Sequence, residues 1–146
     1  MRRELNFARK IAEEAGQLLL THFGNLKASE ISYKGRRNVV TVADKEAESL
    51  IVDSIRREFP DDSVLAEEAT RDAVSDGRLW VVDPLDGTVN FAHGVPIFCV
   101  SIALMVKKQV RLGVVHAPVA GETWWAVSGE GAFLNGRRCR VTRTAD

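Results

Sequence analysis

Two aspartates three residues apart carry the strongest chemical signal in this sequence. Asp83 and Asp86 follow an apolar run, residues 79–82, and stand in a turn made by Pro84 and Gly87. Carboxylates held this close repel one another, so the pair is stable only when protons or hard cations neutralise it. Mg²⁺ prefers one or two protein carboxylates together with water and phosphate oxygens, and backbone amides after Gly87 would cradle a phosphate. The segment indicates a magnesium and phosphate site, although Asp-Pro and Asp-Gly are also ordinary turn dipeptides.

Other acidic residues could join this pair, since a site for several metal ions needs acids from different elements. Glu67 and Glu68 follow residues 63–66, at the end of an expected strand. Asp44 lies at the start of an expected helix, where an acid commonly complements the helix dipole. Taken singly, the glutamate pair is typical of a solvated loop and Asp44 of a first helical turn. Only as a set do these acids favour a metal centre.

Two amphipathic helices are expected before the aspartate turn. Apolar residues recur at helical spacing through residues 7–19, and Gly24 is a suitable stop. Residues 41–44, Thr-Val-Ala-Asp, resemble a capping box. They lead into a second helix with an apolar stripe at residues 47–59, which Pro60 ends.

The remaining sequence is expected to form β-strands. Most of the spacers between them are brief and rich in turn residues, and strands joined so briefly must be antiparallel. Asn135-Gly136 is the strongest hairpin signal. The pattern predicts an α+β fold in which two N-terminal helices pack on an antiparallel β-sheet, within one domain of residues 1–146. The expected strands are residues 31–33, 38–42, 63–66, 79–82, 98–106, 110–116, 123–127 and 139–142.

Residues 97–106 fit that layout less well than the other strands. They are almost continuously apolar, which is typical of a strand that is covered on both faces. Two helices cover only one face of a sheet, so we expect the second face to be covered by something outside this chain or by a segment missing from it. A bare apolar face of this size exceeds what monomers tolerate, and we therefore expect a homodimer or a higher oligomer.

The composition excludes several other classes of protein. The chain has 146 residues, 45% of them hydrophobic, and 20 basic residues balance 20 acidic ones, which is ordinary for a globular domain. Such neutrality argues against nucleic-acid binding. The longest apolar stretch, residues 95–106, is shorter than the about 20 residues that span a bilayer. The N-terminus lacks the apolar region of a signal peptide, and two cysteines make no disulfide framework. We expect a cytoplasmic protein.

Residues 83–91, Asp-Pro-Leu-Asp-Gly-Thr-Val-Asn-Phe, resemble the signature of the inositol monophosphatase family of Mg²⁺-dependent, lithium-sensitive phosphatases. Residues 40–44 are similar to the aspartate segment of that family, and residues 66–68 to its Gly-Glu-Glu segment, with Ala66 in place of the glycine. Residues 129–136 are similar to a hairpin in the first half of the family pattern. Because family members are much longer, the resemblance implies the N-terminal half of a layered αβαβα sugar-phosphatase fold.

The resemblance also implies the metal ligands. Glu67, Asp83 and the backbone carbonyl of Leu85 would hold a first Mg²⁺, and Asp83 with Asp86 would contribute to a second. The missing half of the family pattern carries a Trp-Asp segment that completes the second metal site, and no Trp-Asp pair occurs here. We therefore expect weak Mg²⁺ binding and little or no turnover by this chain alone.

Catalytic and phosphate-binding roles follow from the same resemblance. Asp44, Glu67 and Thr88 would be catalytic, with Thr88 hydrogen-bonded to Asp44 so that it helps to activate a metal-bound water. The amides of Gly87 and Thr88 would hold the phosphate. Lys34 lies where the family often has a basic residue near the site, although an exposed turn lysine is the simpler interpretation.

The implied activity is hydrolysis of a phosphomonoester such as inositol 1-phosphate, or of a similar polyol or sugar phosphate, by a metal-activated water. A relative of fructose-1,6-bisphosphatase or of 3′-phosphoadenosine phosphatase stays open, because the residues that discriminate substrates lie largely in the missing half. A non-catalytic assembly module that keeps the motif is a further alternative. The family resemblance also points to dimers.

Overall fold

The computed structural model describes residues 1–28, 33–66 and 77–142. Two long helices come first in these residues, and a seven-stranded sheet with a short third helix follows. The helices are α1 (Arg2–Ala28), α2 (Tyr33–Glu58) and α3 (Thr88–Ala92). The strands are β1 (Ser63–Leu65), β2 (Arg78–Asp86), β3 (Cys99–Val106), β4 (Gln109–Ala117), β5 (Glu122–Val127), β6 (Gly131–Leu134) and β7 (Arg137–Cys139). None of the described helices is long and apolar enough to cross a membrane.

The strands lie in the sheet in the order in which they occur along the chain. The pairs from β2–β3 to β6–β7 are antiparallel, and this confirms the predicted α+β fold with helices on a largely antiparallel sheet. The edge pair β1–β2 is parallel, so the sheet is mixed. Residues 66–77 separate these two strands, and a parallel crossover needs a connection of about that length.

The predicted strand at residues 38–42 is wrong, because α2 begins at Tyr33 and passes through it. Residues 41–44 therefore lie inside the helix and make no capping box at its start. Val39 and Val40 pack against the core, and the fully buried Ala43 and Ala47 continue their stripe at helical spacing. Packing along this stripe overrides the preference of valine for strands, since propensities are weak compared with tertiary contacts.

The other differences are small. The predicted strand at residues 31–33 lies outside the described residues except for Tyr33, which begins α2. The last predicted strand, residues 139–142, is replaced by β7, and β6 was not predicted as a strand. These two strands form the expected hairpin across Asn135 and Gly136, whose φ angles of 47° and 86° suit a type I′ turn.

The core lies between the two long helices and one face of the sheet. Trp80 is fully buried, with its ring centroid 5.8 Å from that of Phe7 and 5.2 Å from that of Phe59. Alternation along β3 sends Val100, Ile102 and Leu104 into this core. On the other face of the sheet, Val115 and Trp124 remain 36% and 37% exposed. The described helices therefore leave apolar side chains of the second face accessible.

Helix α1 approaches β4 closely at Gly16. A Cβ atom at this position would lie 2.5 Å from Cδ2 of His116, a distance that no real contact allows. The imidazole cannot easily move aside, because it is buried and its Nδ1 lies 2.9 Å from Oγ1 of Thr123. Burial lowers the pKa of His116 although the charge of Glu13 opposes this. The neutral ring thus fixes the spacing between helix and sheet.

An ion-pair network ties the start of α1 to β2. Arg78 donates from Nε to Oδ1 of Asp62 at 2.8 Å and from Nη2 to Oε1 of Glu4 at 3.0 Å. The indole of Trp80 donates to the other oxygen of Asp62 at 2.8 Å. Partial burial acts to raise the pKa of Glu4, but hydrogen bonds from its own backbone amide, the N-terminal ammonium and Arg78 lower it from 4.5 to about 2.

This network is expected to make the stability of the fold depend on pH under acidic conditions. Because the pKa of Glu4 is lower in the folded chain, its stabilisation is complete above pH 4.5 and is lost as the pH falls from 4.5 to about 2. The contribution to the free energy of unfolding is on the order of 2 kcal/mol. Urea unfolding should show Glu4→Gln to be less stable than the parent chain at pH 6 and nearly equal to it at pH 2. An equal difference at both pH values would contradict this account.

Candidate active site

The two aspartates of the turn lie on the same face of the sheet because β2 is irregular between them. Along a regular strand, residues three apart point to opposite faces. Here the register with β3 shifts, so that Asp83 lies opposite Ser101 and Asp86 lies opposite Cys99. Ser101 and Cys99 are two positions apart and share a face, with a rise of about 6.8 Å between them. Both aspartates are exposed, whereas the two residues between them are buried.

A cavity of about 510 Å³ lies at this end of the sheet. It is bordered by the end of β2, by the first residue of α3 and by Ala66, which directly follows β1. The structure therefore brings together five predicted site residues: Asp83, Leu85, Asp86, Gly87 and Thr88. Glu67 and Glu68 lie outside the described residues, directly after Ala66 in the sequence.

Gly87 makes the turn between β2 and α3 possible. Its φ angle is 95°, in the left-handed region that favours glycine. A Cβ atom here would lie 3.0 Å from the carbonyl oxygen of Ile97 and 3.2 Å from Cα of Phe98. That same carbonyl accepts a hydrogen bond of 2.8 Å from Nδ2 of Asn90. The turn and the loop after α3 are thus held against one another, which fixes the position of Thr88.

An aromatic cluster anchors α3 to the core. The ring centroid of Phe91 lies 4.8 Å from that of Phe98 and 5.3 Å from that of Phe23 on α1. All three rings are buried, and such pairs contribute about 0.5–1.5 kcal/mol each beyond their burial. This packing therefore fixes α3 to the core although the helix has only five residues.

The pKa of the Cys99 thiol is affected by the negative charges of the acidic turn. Its thiol donates to Oδ2 of Asp86 with an Sγ–Oδ2 distance of 3.8 Å. Burial makes the largest contribution to raising the pKa of this thiol, and together with the charge of Asp86, the hydrogen bond to it and the charge of Asp83 it brings the pKa to about 11. Both carboxylates thus act on one thiol, which stays protonated near neutral pH. The site is strongly negative and suits a cation.

Helix α2 brings Asp44 to the neighbourhood of Thr88. Val40 and Thr41 border a second cavity together with Thr88, and Asp44 is half-buried one turn further along the helix. Within the described part of the chain, no hydrogen bond joins Asp44 to Thr88. Their cooperation in catalysis stays a prediction. Lys34 belongs to α2, and its side chain lies outside what the structure describes.

The donors at the turn fit a magnesium ion. Asp83 and Asp86 supply carboxylates, and Leu85 between them supplies a backbone carbonyl. Mg²⁺ takes hard oxygen ligands and commonly uses one or two carboxylates with water and phosphate. In the described ranges, no group of three or more His, Cys, Asp or Glu residues could hold a metal ion. Glu67, which the family resemblance implies as a further ligand, lies outside these ranges.

Two features of the site were not predicted from the sequence. The irregularity of β2 was not predicted, although a proline inside a strand commonly marks one, and Pro84 is such a signal. The contact of Cys99 with Asp86 follows from the strand register alone, which no local pattern gives.

Comparison with known proteins identifies the family. The chain matches the inositol monophosphatase family over residues 1–146, and it belongs to that family. A fructose-1,6-bisphosphatase/inositol-1-monophosphatase of Thermotoga maritima is 45% identical over 141 residues, which are 97% of this chain and 54% of that relative. A histidinol-phosphatase of Chlorobaculum parvum is 41% identical over 143 residues, which are 98% of this chain and 55% of that relative.

A solved structure shows the same architecture. The extragenic suppressor protein suhB of Bartonella henselae superposes with a TM-score of 0.85 at 35% identity, over 97% of this chain and 55% of that one. The chain thus spans about half the length of the curated relatives and solved structures that it matches.

Proposed function

We propose that residues 1–146 form one domain that is the metal- and phosphate-binding half of a Mg²⁺-dependent phosphomonoesterase. Its substrate is inositol 1-phosphate or a similar polyol or sugar phosphate. The observation that carries this proposal is the placement of Asp83 and Asp86 on one face of the sheet, at a cavity that Gly87 and Thr88 also border. The two relatives named above are phosphatases of small phosphate esters by name, which supports the same class of substrate.

The residues of the turn have two separate roles in this proposal, metal binding and phosphate binding. Asp83, Asp86 and the carbonyl of Leu85 hold Mg²⁺, with Glu67 as a further ligand. When bound, Mg²⁺ supplies a water of lowered pKa and neutralises charge on the phosphate. The amides of Gly87 and Thr88 bind and orient the phosphate oxygens. Most of the rate enhancement in phosphoryl transfer comes from such positioning and charge neutralisation.

Asp44 and Glu67 complete the catalytic set in this proposal. The hydroxyl of Thr88 orients the attacking water, and Asp44 accepts a hydrogen bond from that hydroxyl. Glu67 is the third catalytic residue of this set. The approach of α2 to Thr88 supports the role of Asp44, because the two elements already border one cavity.

We further propose a lithium-sensitive, cytoplasmic enzyme that forms a homodimer or a higher oligomer. The free thiols of Cys99 and Cys139 support a reducing compartment. The exposed fractions of Val115 and Trp124 on the second face of the sheet support association, because monomers rarely leave such patches open.

Phosphate release tests the proposed function. The chain is incubated at millimolar Mg²⁺ with inositol 1-phosphate, fructose 1,6-bisphosphate, 3′-phosphoadenosine 5′-phosphate and histidinol phosphate. We expect weak release that is strongest with inositol 1-phosphate and absent in Asp86→Asn. A different preferred substrate would replace the proposed one. No release together with no Mg²⁺ or Li⁺ binding by calorimetry would indicate a non-catalytic assembly module instead.

A further inference from the structure

The loop between α3 and β3 passes directly behind Gly87. The carbonyl oxygen of Ile97 and Cα of Phe98 lie so close to Gly87 that they leave no room for a side chain there. The ring of Phe98 is buried at the end of the loop, but the side chains of Val95 and Ile97 are 39% and 69% exposed. Residues 94–97 therefore depend mainly on backbone hydrogen bonds for their position.

Asn90 of α3 is hydrogen-bonded to this loop at two points. Its side-chain Nδ2 donates to the carbonyl oxygen of Ile97 at 2.8 Å, and its backbone oxygen accepts from the amide of Val95 at 2.9 Å. Among the described residues, no other side chain is hydrogen-bonded to the backbone of residues 94–97. The bond to Ile97 needs a side-chain donor, because a carbonyl only accepts. The amide of Asn90 therefore holds the Ile97 carbonyl against Gly87.

The peptide between Gly87 and Thr88 is fixed from two sides. Its carbonyl oxygen accepts from the backbone amide of Phe91 at 2.9 Å, and Phe91 is fully buried. On the other side, Gly87 lies against the Ile97 carbonyl. In a trans peptide the N–H points away from the carbonyl, so the Thr88 amide points out of the start of α3, where Thr88 borders the cavity at the turn. A shift of the Ile97 carbonyl would therefore turn this amide.

We propose that Asn90 is a positioning residue for the bound phosphate. Through the carbonyl of Ile97, its side-chain amide holds the Gly87–Thr88 peptide in the orientation in which the Thr88 amide faces the phosphate. This inference rests on the proposed function, which assigns phosphate binding to the amides of Gly87 and Thr88. Asn90 does not occur in the described lining of the cavity at the turn. It acts through the backbone and takes no part in the chemical step.

Metal binding should not depend on Asn90. Asp83 and Asp86 precede Gly87 in the chain, and the pairing of β2 with β3 holds both of them in place. Loss of the Asn90 side chain should therefore weaken the binding of a phosphate ester and spare the binding of Mg²⁺. A substitution that merely loosened the turn would weaken both.

Calorimetry of Asn90→Ala tests this difference. In the presence of Mg²⁺, the variant should bind inositol 1-phosphate about three- to tenfold more weakly than the parent chain, in line with the loss of one neutral hydrogen bond. Its affinity for Mg²⁺ should be unchanged. The control Asn6→Ala removes an exposed asparagine from α1 and should change neither affinity. An unchanged affinity for the ester, or equal losses for the ester and Mg²⁺, would overturn the proposal.

Amide hydrogen exchange in EDTA tests the hold on the peptide without metal or ester. The Phe91 amide, which bonds to the Gly87 carbonyl, should exchange about three- to tenfold faster in Asn90→Ala than in the parent chain. The Val95 amide should be affected far less, because it bonds to the backbone of Asn90. The isosteric Asn90→Asp should give the same pattern near neutral pH, since a carboxylate cannot donate.

The exchange rates also separate this proposal from the proposed function. Equal acceleration of the Phe91 and Val95 amides would show a general loosening of α3 and would overturn the positioning role. If the parent chain bound no inositol 1-phosphate while the expected exchange pattern was present, the proposed function would fail and the hold of Asn90 on the turn would stand.

Discussion

Asp86→Asn is expected to weaken Mg²⁺ binding by at least about tenfold, because affinity for hard cations follows the number of charged ligands. The substitution keeps the size of the side chain and an oxygen acceptor for the thiol of Cys99, so it removes the charge and little else. The measurement is calorimetric titration of the metal-free chain with Mg²⁺.

A matched control separates this effect from the general loss of one negative charge. Asp53→Asn removes an exposed carboxylate from α2, and it should leave the affinity for Mg²⁺ unchanged. In EDTA, the free energy of unfolding of Asp86→Asn should equal or slightly exceed that of the parent chain, because the repulsion with Asp83 is relieved. Equal Mg²⁺ affinities of Asp86→Asn and the parent would contradict the metal site.

Gly87→Ala is expected to lower the free energy of unfolding by about 1–3 kcal/mol and to weaken phosphate binding as well. The φ angle of 95° is costly for any residue with a Cβ, and the new atom would lie 3.0 Å from the carbonyl oxygen of Ile97. Relief of this contact must shift the turn and, with it, Thr88. Urea unfolding gives the stability, and calorimetry with inositol 1-phosphate and Mg²⁺ gives the affinity.

Gly94→Ala is the control for backbone strain alone. Gly94 also has a positive φ angle, 70°, but a Cβ atom there would meet nothing within 4 Å. Its substitution should cost about 1–2 kcal/mol in stability and leave the affinity for inositol 1-phosphate unchanged. If both variants lost stability and affinity equally, the close approach of Gly87 to Ile97 would have no special role.

Sequence patterns predicted much of the fold because many of its elements depend on interactions between residues that are close in the sequence. The amphipathic stripe of α1 and the turn at Asn135 and Gly136 depend on neighbouring residues only, and both are present in the structure. The start of α2 was missed for the opposite reason. Val39 and Val40 favour strands by themselves, and only their packing against the core shows that they belong to a helix.

In the candidate site, too, features set by neighbouring residues could be predicted and features set by strand pairing could not. The acids of the turn, their hard oxygen chemistry and the need for glycine at residue 87 could be predicted from the sequence. The shared face of Asp83 and Asp86 could not, because it depends on the shifted pairing of β2 with Ser101 and Cys99 of β3.

The relaxation of ³¹P in inositol 1-phosphate, measured with Mn²⁺ in place of Mg²⁺, tests most directly whether a metal ion lies beside a bound monoester. Mn²⁺ accepts the same carboxylate and water ligands, and its unpaired electrons speed the relaxation of a phosphorus nucleus that lies near it. Addition of the full chain should increase the relaxation rate beyond that with free Mn²⁺ and ligand, and Asp86→Asn should cancel most of the increase. No increase with the parent chain, at concentrations where both Mn²⁺ and the ester are bound, would contradict the account.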